Sequence, residues 1–91
     1  MSAAVSHEPS NHRFVIDSDG EQAVLDYRLE SEVMTITHTG VPGALSGRGL
    51  AGEMTKAAFE TARSEGWRVI PACSYAASWA EKHNEFSDVL A

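Results

Sequence analysis

The segment that decides the fold reads Val41-Pro42-Gly43-Ala44-Leu45-Ser46-Gly47-Arg48-Gly49-Leu50-Ala51. Residues typical of a strand precede it and a helical pattern follows, so this glycine-rich segment is predicted to join a strand to a helix. A helix N-terminus offers unpaired backbone N–H groups and the positive end of the helix dipole, and glycines let a ligand approach them. Arg48 adds a cation. The segment is therefore predicted to bind an anion, best a diphosphate, although turning the chain explains its glycines equally well.

Gly47, Gly49 and Gly52 also fit the G-x-G-x-x-G pattern of dinucleotide-binding folds. In those folds the pattern follows its strand directly, and an acidic residue lies about 20 residues further on. Here several loop residues intervene, and that distance leads to the neighbourhood of Cys73, where no acid lies. No Gly-Lys-Ser/Thr follows either, which excludes a P-loop. The two common nucleotide-binding loops are thus rejected.

Three short strands are predicted before the loop. Residues 13–17 form the first, an Asp-Gly pair at positions 19–20 indicates a tight hairpin turn, and residues 22–30 alternate between apolar and polar side chains. Residues 33–39 are rich in β-branched side chains and are followed by Gly40, which interrupts the ladder. These observations predict a meander of three antiparallel strands.

The remaining chain is predicted to add a helix, a strand and a second helix. Residues 49–65 have helical spacing, and Gly66 is placed for a left-handed C-cap. Residues 67–71 are predicted to form a fourth strand, which a right-handed crossover makes parallel to the third. Ser74 is placed to cap a second helix that runs to Lys82. The predicted fold class is α/β (α+β), with three antiparallel strands, a helix, a parallel strand and a helix.

Composition limits the chain to one small domain. Its 91 residues are 43% hydrophobic and 22% charged, which is typical of a folded globular protein. Residues 13–91 are assigned to a single domain, and residues 1–12, which show no periodicity, to a flexible N-terminal arm. The net charge of −6 argues against binding nucleic acid or an anionic membrane. We expect a monomer or a weak homodimer.

Cys73 is the only cysteine, which excludes an internal disulfide and any CxxC motif and favours a reducing, cytoplasmic location. The N-terminus has no basic region followed by an apolar run, so no secretory signal is predicted. No stretch approaches the ~20 apolar residues of a membrane span. Four scattered histidines and one cysteine lack the spacing of metal ligands, so no metal site is predicted.

Four short motifs occur in order between residues 13 and 90: His38-Thr39-x-Val41-Pro42, Gly47-Arg48-Gly49-Leu50-Ala51, Val69-Ile70-Pro71-x-Cys73 and His83-x-Glu85-Phe86. Through these four motifs the chain resembles the GNAT acyltransferase superfamily. In that superfamily a Gln/Arg-x-x-Gly-x-Gly/Ala loop leads into a helix and binds the diphosphate of coenzyme A, which lies between two parallel strands. More narrowly, it resembles the small single-domain GNAT-like N-acetyltransferases of about this length. The resemblance implies an acetyl-CoA-dependent enzyme that acetylates an amine of a small molecule or a protein.

The resemblance also implies which residues hold acetyl-CoA. They are Val41, Ser46, Gly47, Arg48, Gly49, Leu50, Ala51 and Ser74. The loop amides would hold the diphosphate, and the chain around Val41 would bind the pantetheine arm through backbone hydrogen bonds, as an added strand does. Two departures from the family pattern matter. Ala44 stands where the loop usually has Gln or Arg, which leaves the diphosphate to the backbone and Arg48, and Gly40 replaces a frequent acidic residue that could serve as a general base.

Cys73 and His38 are the candidate catalytic residues. Cys73 follows the fourth strand, where the resemblance places the reactive end of coenzyme A. It could be a transient acyl acceptor, an acid toward the leaving thiolate, or a small residue that lines the pocket. An activated thiol needs a base or a positive field, and His38 on the neighbouring strand is the best candidate, unless it is a half-buried structural histidine.

A different class of function stays open. At the likely position of the superfamily's tyrosine acid the chain has Trp79, which cannot donate that proton, and Tyr75 is the nearest hydroxyl. Together with Gly40, this favours a coenzyme A or acyl-CoA binding module with little or no transferase activity. A plain interaction domain without a ligand is the third alternative, if the loop only turns the chain.

Overall fold

The computed structural model describes residues 4–91, which form a five-stranded sheet with its strands in the order of the chain. The strands are β1 (Ser6–Glu8), β2 (Arg13–Ser18), β3 (Glu21–Glu30), β4 (Val33–Gly40) and β5 (Arg68–Pro71). The helices are α1 (Leu50–Glu65) and α2 (Ser74–Lys82), with short 3-10 helices at Pro9–Asn11, Gly43–Leu45 and Asn84–Val89. This mixed α/β architecture confirms the predicted fold class.

The meander of β2, β3 and β4 is confirmed, and both of its turns are tight. Asp19 and Gly20 join β2 to β3 with φ values of 53° and 76°, as a two-residue hairpin turn requires. Ser31 and Glu32 join β3 to β4 with φ values of 51° and 64°. Side chains disfavour this left-handed region, so the second turn is held by the strand pairing around it.

The N-terminal segment differs from the prediction. Residues 1–3 of the expected flexible arm lie outside the described residues, but Ser6–Glu8 forms β1, an antiparallel edge strand on β2. The ring of His7 stacks on Phe14 at a centroid distance of 4.2 Å, and His7 Nε2 lies 2.7 Å from Tyr27 Oη. A three-residue strand is too short to show periodicity, so these aromatic contacts could not be predicted from the sequence. The antiparallel part of the sheet thus has four strands instead of three.

Both helices and the last 3-10 helix cover the same face of the sheet. Phe59 of α1 lies 5.1 Å from Trp79 of α2 and 5.6 Å from Phe86, measured between ring centroids. They share one core with residues of β2, β3 and β4, among them Phe14, Ile16, Leu25, Met34 and Ile36, each at most 1% exposed. Burying such a side chain stabilises the fold by about 1.5–3 kcal/mol. The predicted left-handed cap of α1 at Gly66 is confirmed, with a φ of 79°.

The sheet opens between β4 and β5 because β4 contains a β-bulge and its pairing with β5 ends before β4 does. Residue Asp26 pairs with His38 but Tyr27 pairs with Ile36, so Thr37 is an extra residue in β4. The predicted parallel pairing of β5 with β4 is present, and its register ends where Ile36 lies opposite Pro71. Beyond that point β4 continues to Gly40 while the chain after β5 turns into α2. The two strands therefore part and leave one edge of β4 without a neighbouring strand.

Within residues 4–91, neither helix has the length and apolar character needed to cross a membrane. In the same part of the chain, no three His, Cys, Asp or Glu side chains come together as potential metal ligands.

Candidate active site

The free edge of β4 presents backbone hydrogen-bonding groups to the opening. Tyr27 N donates to His12 O, away from β4, so its neighbour Asp26 directs its backbone groups toward β4. The alternation of the ladder then turns the backbone groups of Leu25 and its partner Thr39 away from each other. Thr39 accordingly directs its N–H and C=O toward the opening. An extended ligand could bind here as an added strand does.

A cavity of about 260 Å³ lies beside this edge, at the start of α1. It is lined by Val41, Leu45, Ser46, Gly47, Gly49, Leu50, Ala51 and Tyr75. Six of the eight residues predicted to bind the cofactor are in this lining. Arg48 and Ser74 are not, and Ser74 is an exposed residue of the first turn of α2.

The first turn of α1 has backbone N–H groups free for a ligand. Gly49 caps the helix with a φ of 74° and no side-chain hydrogen bond, and Glu53 N donates to Gly49 O at 3.1 Å. The N–H groups of Leu50, Ala51 and Gly52 have no acceptor within residues 4–91. These N–H groups and the positive end of the helix dipole are the features on which the anion site predicted from the loop sequence depends.

The side chain of Arg48, which was predicted to lie near the diphosphate, forms an ion pair and is not in the lining of the cavity. Its Nη1 is 3.0 Å from Asp19 Oδ2 and 3.4 Å from Ser18 Oγ, so the guanidinium is directed to the tip of the β2–β3 hairpin. Both partners of this ion pair are well exposed, with 48% and 69% of their side chains accessible. Reading along the loop could not reveal the pairing, because Asp19 is 29 residues away in sequence.

Cys73 occupies the base of the opening. Its backbone N–H donates to Ile36 O at 3.1 Å, and Ile36 O also accepts from Ala72 N at 3.0 Å. Cys73 is the N-cap of α2, because its Sγ accepts the N–H of Ala76 at 3.4 Å. The cap predicted at Ser74 is therefore wrong by one residue. The thiol is partly buried and packs against the core on the helix side of the sheet.

His38 lies on the other face of the sheet. Tyr27 is buried among the core residues under the helices, so Asp26 and its partner His38 face the opposite way. The imidazole is exposed and leans over Gly40, where a Cβ would lie 2.9 Å from Nε2. Within residues 4–91 no hydrogen bond joins His38 to Cys73. The thiol–imidazole pair expected from the sequence is not formed, because a sheet separates the two side chains.

Tyr75 and Trp79, which were not among the predicted site residues, lie against the first turn of α1. A Cβ at Gly52 would be 3.2 Å from Tyr75 Oη and 3.7 Å from Trp79 Nε1. Burial raises the pKa of Tyr75, so its hydroxyl keeps its proton at neutral pH. Their spacing of four residues places both on one face of α2, and this signal could have identified them from the sequence.

A second cleft, of about 200 Å³, lies at the other end of α1. There Arg63 Nη2 is 2.6 Å from Asp88 Oδ1, and Arg68 Nη1 donates to Asp88 O at 2.5 Å. The hydrogen bond from Arg63 lowers the pKa of Asp88. Because the charges in this cleft already bind one another, we assign it a role in holding the C-terminal 3-10 helix.

Comparison with known proteins assigns the chain to a family. Residues 13–89 match the family model described as GCN5-related N-acetyl-transferase. The chain belongs to the GCN5-related N-acetyltransferase family. It is also similar to the solution structure of a GCN5-like protein of Staphylococcus aureus to which N-acetyltransferase activity has been ascribed, with a TM-score of 0.77 and 29% identity. That match covers 98% of this chain and 88% of the other.

Membership of the GCN5-related family assigns the general activity. The family consists of acyltransferases that use acetyl-CoA as cosubstrate and an amine as acceptor. The predicted class, an acyltransferase of the N-acetyltransferase type, is thereby confirmed.

Proposed function

We propose that this protein transfers the acetyl group of acetyl-CoA to an amine of a small molecule or a protein at the opening between β4 and β5. One observation carries the proposal: three backbone N–H groups, those of Leu50, Ala51 and Gly52, lack an acceptor within residues 4–91 and begin a helix beside a cavity. A glycine-lined helix start of this kind suits a phosphate group.

The proposed placement of acetyl-CoA follows the cavity and the strand edge. The diphosphate would bind the amides of residues 47–51 near Ser46, whose hydroxyl now donates to Gly43 O at 2.8 Å. The pantetheine arm would run along Thr39 and Val41 and direct the thioester toward Cys73. In this arrangement Ser74, on the first turn of α2, would contact the thioester end, and Arg48 would reach a phosphate only by leaving Asp19.

Acetyl transfer requires one bond to form and one to break. The amine nitrogen attacks the thioester carbonyl carbon, the C–S bond breaks, the coenzyme A thiolate takes up a proton, and the amine loses one. Cys73 could donate its Sγ proton to the leaving thiolate, or its sulfur could first take the acetyl group and then pass it to the amine. In both routes the Ala76 N–H, directed at Sγ, supports negative charge on the sulfur.

His38 is proposed to act on the acceptor side. An amine that enters from the sheet face without helices would meet the exposed imidazole next to the opening, and the imidazole could accept its proton. Asp26 is the cross-strand neighbour of His38, although its Oδ1 is already bound by Arg13 Nε at 2.6 Å. The net charge of −6 suits a cationic acceptor such as a lysine side chain or a polyamine. The single, unpaired cysteine supports a cytoplasmic location for this reaction.

Incubation with acetyl-CoA labelled in the acetyl group tests the proposal. We expect label on an added polyamine or lysine peptide, and its loss or strong reduction in Cys73→Ala. If Cys73 carries the acetyl group, intact-protein mass will rise by one acetyl in the absence of acceptor, and Cys73→Ala will show no such increase. His38→Gln should lower kcat/KM by about 100-fold or more at neutral pH if the imidazole is the base.

The same experiment separates the alternatives. Binding of acetyl-CoA without transfer to any amine would contradict the proposal and support an acyl-CoA binding module. No binding at millimolar acetyl-CoA, measured by calorimetry, would overturn both and leave an interaction domain.

A further inference from the structure

Trp79 is a largely buried residue with a polar indole N–H. The residue is only 7% exposed, yet Nε1 has no hydrogen-bond acceptor within residues 4–91. The atom keeps some contact with solvent, since no fully buried side-chain nitrogen or oxygen in this part of the chain is left unpaired. A donor whose only exposure is this small contact with solvent is available to a ligand that displaces the solvent.

The indole Nε1 lies close to the first turn of α1, next to the cavity that Tyr75 lines, although Trp79 itself is not in that lining. The Nε1 and Cδ1 edge of the indole faces the first turn of α1, where a Cβ at Gly52 would lie 3.7 and 4.0 Å away. Tyr75 Oη would lie 3.2 Å from the same Cβ, so any side chain at position 52 would crowd this corner. Gly52 also contributes one of the three backbone N–H groups that lack an acceptor within residues 4–91. Side-chain and backbone donors thus meet at one end of the helix.

Packing holds the indole in this orientation. Its rings stack on His83 at a centroid distance of 3.7 Å and an angle of 10°, and His83 Nδ1–H donates to Trp79 O at 2.7 Å. Phe59 packs from the other helix at 5.1 Å. A donor that is fixed before the ligand arrives loses little conformational entropy on binding. Tyr75, at 40% exposure, is the less enclosed of the two donors.

We propose that Trp79 Nε1–H and Tyr75 Oη–H donate hydrogen bonds to the diphosphate of acyl-CoA at the start of α1. This inference rests on the proposed function and deepens it. A diphosphate has more acceptor oxygens than three backbone N–H groups can satisfy, and no Lys or Arg is in the lining of this cavity, because Arg48 is held by Asp19. Neutral aromatic donors therefore stand where a basic side chain would otherwise be needed. Trp79 binds the cofactor here and takes no part in proton transfer.

The chain has two tryptophans, so two indole signals in a ¹H–¹⁵N spectrum report on the inference directly. Addition of acetyl-CoA should move the Trp79 indole signal with the same saturation curve as the amides of the loop. The Trp67 signal, from the second cleft, should stay in place. Pantetheine, which lacks the phosphates, should leave both indole signals unchanged. A Trp79 signal that moves equally with pantetheine would overturn the assignment to the diphosphate.

Substitutions give an independent readout. Trp79→Phe removes the N–H and keeps an aromatic ring, and it should weaken acetyl-CoA binding about ten- to hundredfold, because a hydrogen bond to a charged group is lost. Tyr75→Phe should weaken binding severalfold, and Trp67→Phe is the matched control with unchanged affinity. If the parent binds acetyl-CoA but its Trp79 indole signal does not move, the inference is wrong while the proposed function stands. If Trp79→Phe does not fold, the indole shift in the parent and Tyr75→Phe decide.

Discussion

Gly49 and Gly66 begin and end the same helix in the same left-handed conformation, with φ values of 74° and 79°, but they serve different purposes at the residue scale. Gly66 closes the C-terminus of α1, where its N–H donates to the carbonyls of Ala62 and Arg63. Gly49 lines the cavity, and its lack of a side chain leaves room above the free N–H groups. Substitutions at the two glycines therefore distinguish the effect of backbone strain from the effect on ligand binding.

We predict that Gly49→Val weakens acetyl-CoA binding at least tenfold. The valine methyl groups would occupy the space that a phosphate needs, and the left-handed backbone would cost about 1–2 kcal/mol of stability. Gly66→Val is the matched control, because it should lose similar stability without loss of affinity. Calorimetric titration and thermal unfolding of both variants measure the two effects. Equal affinities in the two variants would show that the loop is not the phosphate site.

Asp19 is predicted to limit the affinity for acetyl-CoA through its ion pair with Arg48. Asp19→Asn frees the guanidinium for a phosphate, and since exposed ion pairs contribute roughly 0.2–1 kcal/mol, the affinity should rise by up to about fivefold at low salt. The gain should diminish as salt increases. Asp17→Asn makes the same charge change on the same hairpin, where Asp17 binds Gln22, and should have less effect. An equal gain in both variants would attribute it to net charge alone.

At this scale, local pattern predicted the backbone of the site better than its side chains. The spacing of Gly47 and Gly49 before a helical stretch identified the loop, because both residues adopt conformations that only glycine takes easily. The direction of Arg48 depends on a hairpin far away in sequence, and the position of His38 depends on the face that a bulge and a register select. Such long-range placement is not encoded in any short stretch of residues.

At the element scale, β1 is a strand whose attachment depends on a histidine. Tyr27 is 4% exposed and burial raises its pKa, so its hydroxyl stays protonated where it forms a hydrogen bond with Nε2 of His7. Burial lowers the pKa of His7, and Glu65 acts in the opposite direction. A protonated ring would bring a positive charge into this partly buried contact, which desolvation disfavours. Edge strands of three residues have few other contacts, so β1 should loosen first.

We therefore predict that acid destabilises the protein partly through His7. The pKa of His7 in the folded protein is below the value of 6.5 in the unfolded chain. Below about pH 6.5 the unfolded state therefore binds more protons, and the free energy of unfolding decreases as the pH is lowered. His7→Gln keeps an acceptor but cannot titrate, and its stability should decline less between pH 7 and pH 5, as measured by thermal unfolding. Parallel curves for the parent and the variant would contradict this role, since the other titrating groups are common to both.

The elements that could be predicted are those with enough residues to show a period. β3 alternates over ten residues and α1 has helical spacing over sixteen, so the core face of each was readable from the sequence. β1 has three residues and depends on stacking with Phe14, and the N-cap of α2 depends on a sulfur acceptor that is uncommon at caps. Both were missed because tertiary contacts, not local propensity, decide them.

At the scale of the whole molecule, function follows from where the sheet opens. The parallel pairing of β4 with β5 ends at Ile36 and Pro71, and the start of α1, the cavity and Cys73 are grouped around that point. The helices cover one face, so the opening connects the helix side, where we propose that acetyl-CoA binds, with the uncovered side, where we propose that the acceptor enters. The glycine loop was predicted from the sequence as an anion site. The fold adds the free edge of β4, proposed to bind the pantetheine arm, and the hydrogen-bond donors of Tyr75 and Trp79.

The most direct test of the central claim is an amide ¹H–¹⁵N spectrum of the protein titrated with acetyl-CoA. We predict that the largest saturable shifts fall on Gly47, Gly49, Leu50, Ala51 and Gly52, at the start of α1, with smaller shifts at Thr39 and Val41. No shifts at millimolar acetyl-CoA, or shifts concentrated in the second cleft around Gly66 and Asp88, would contradict it.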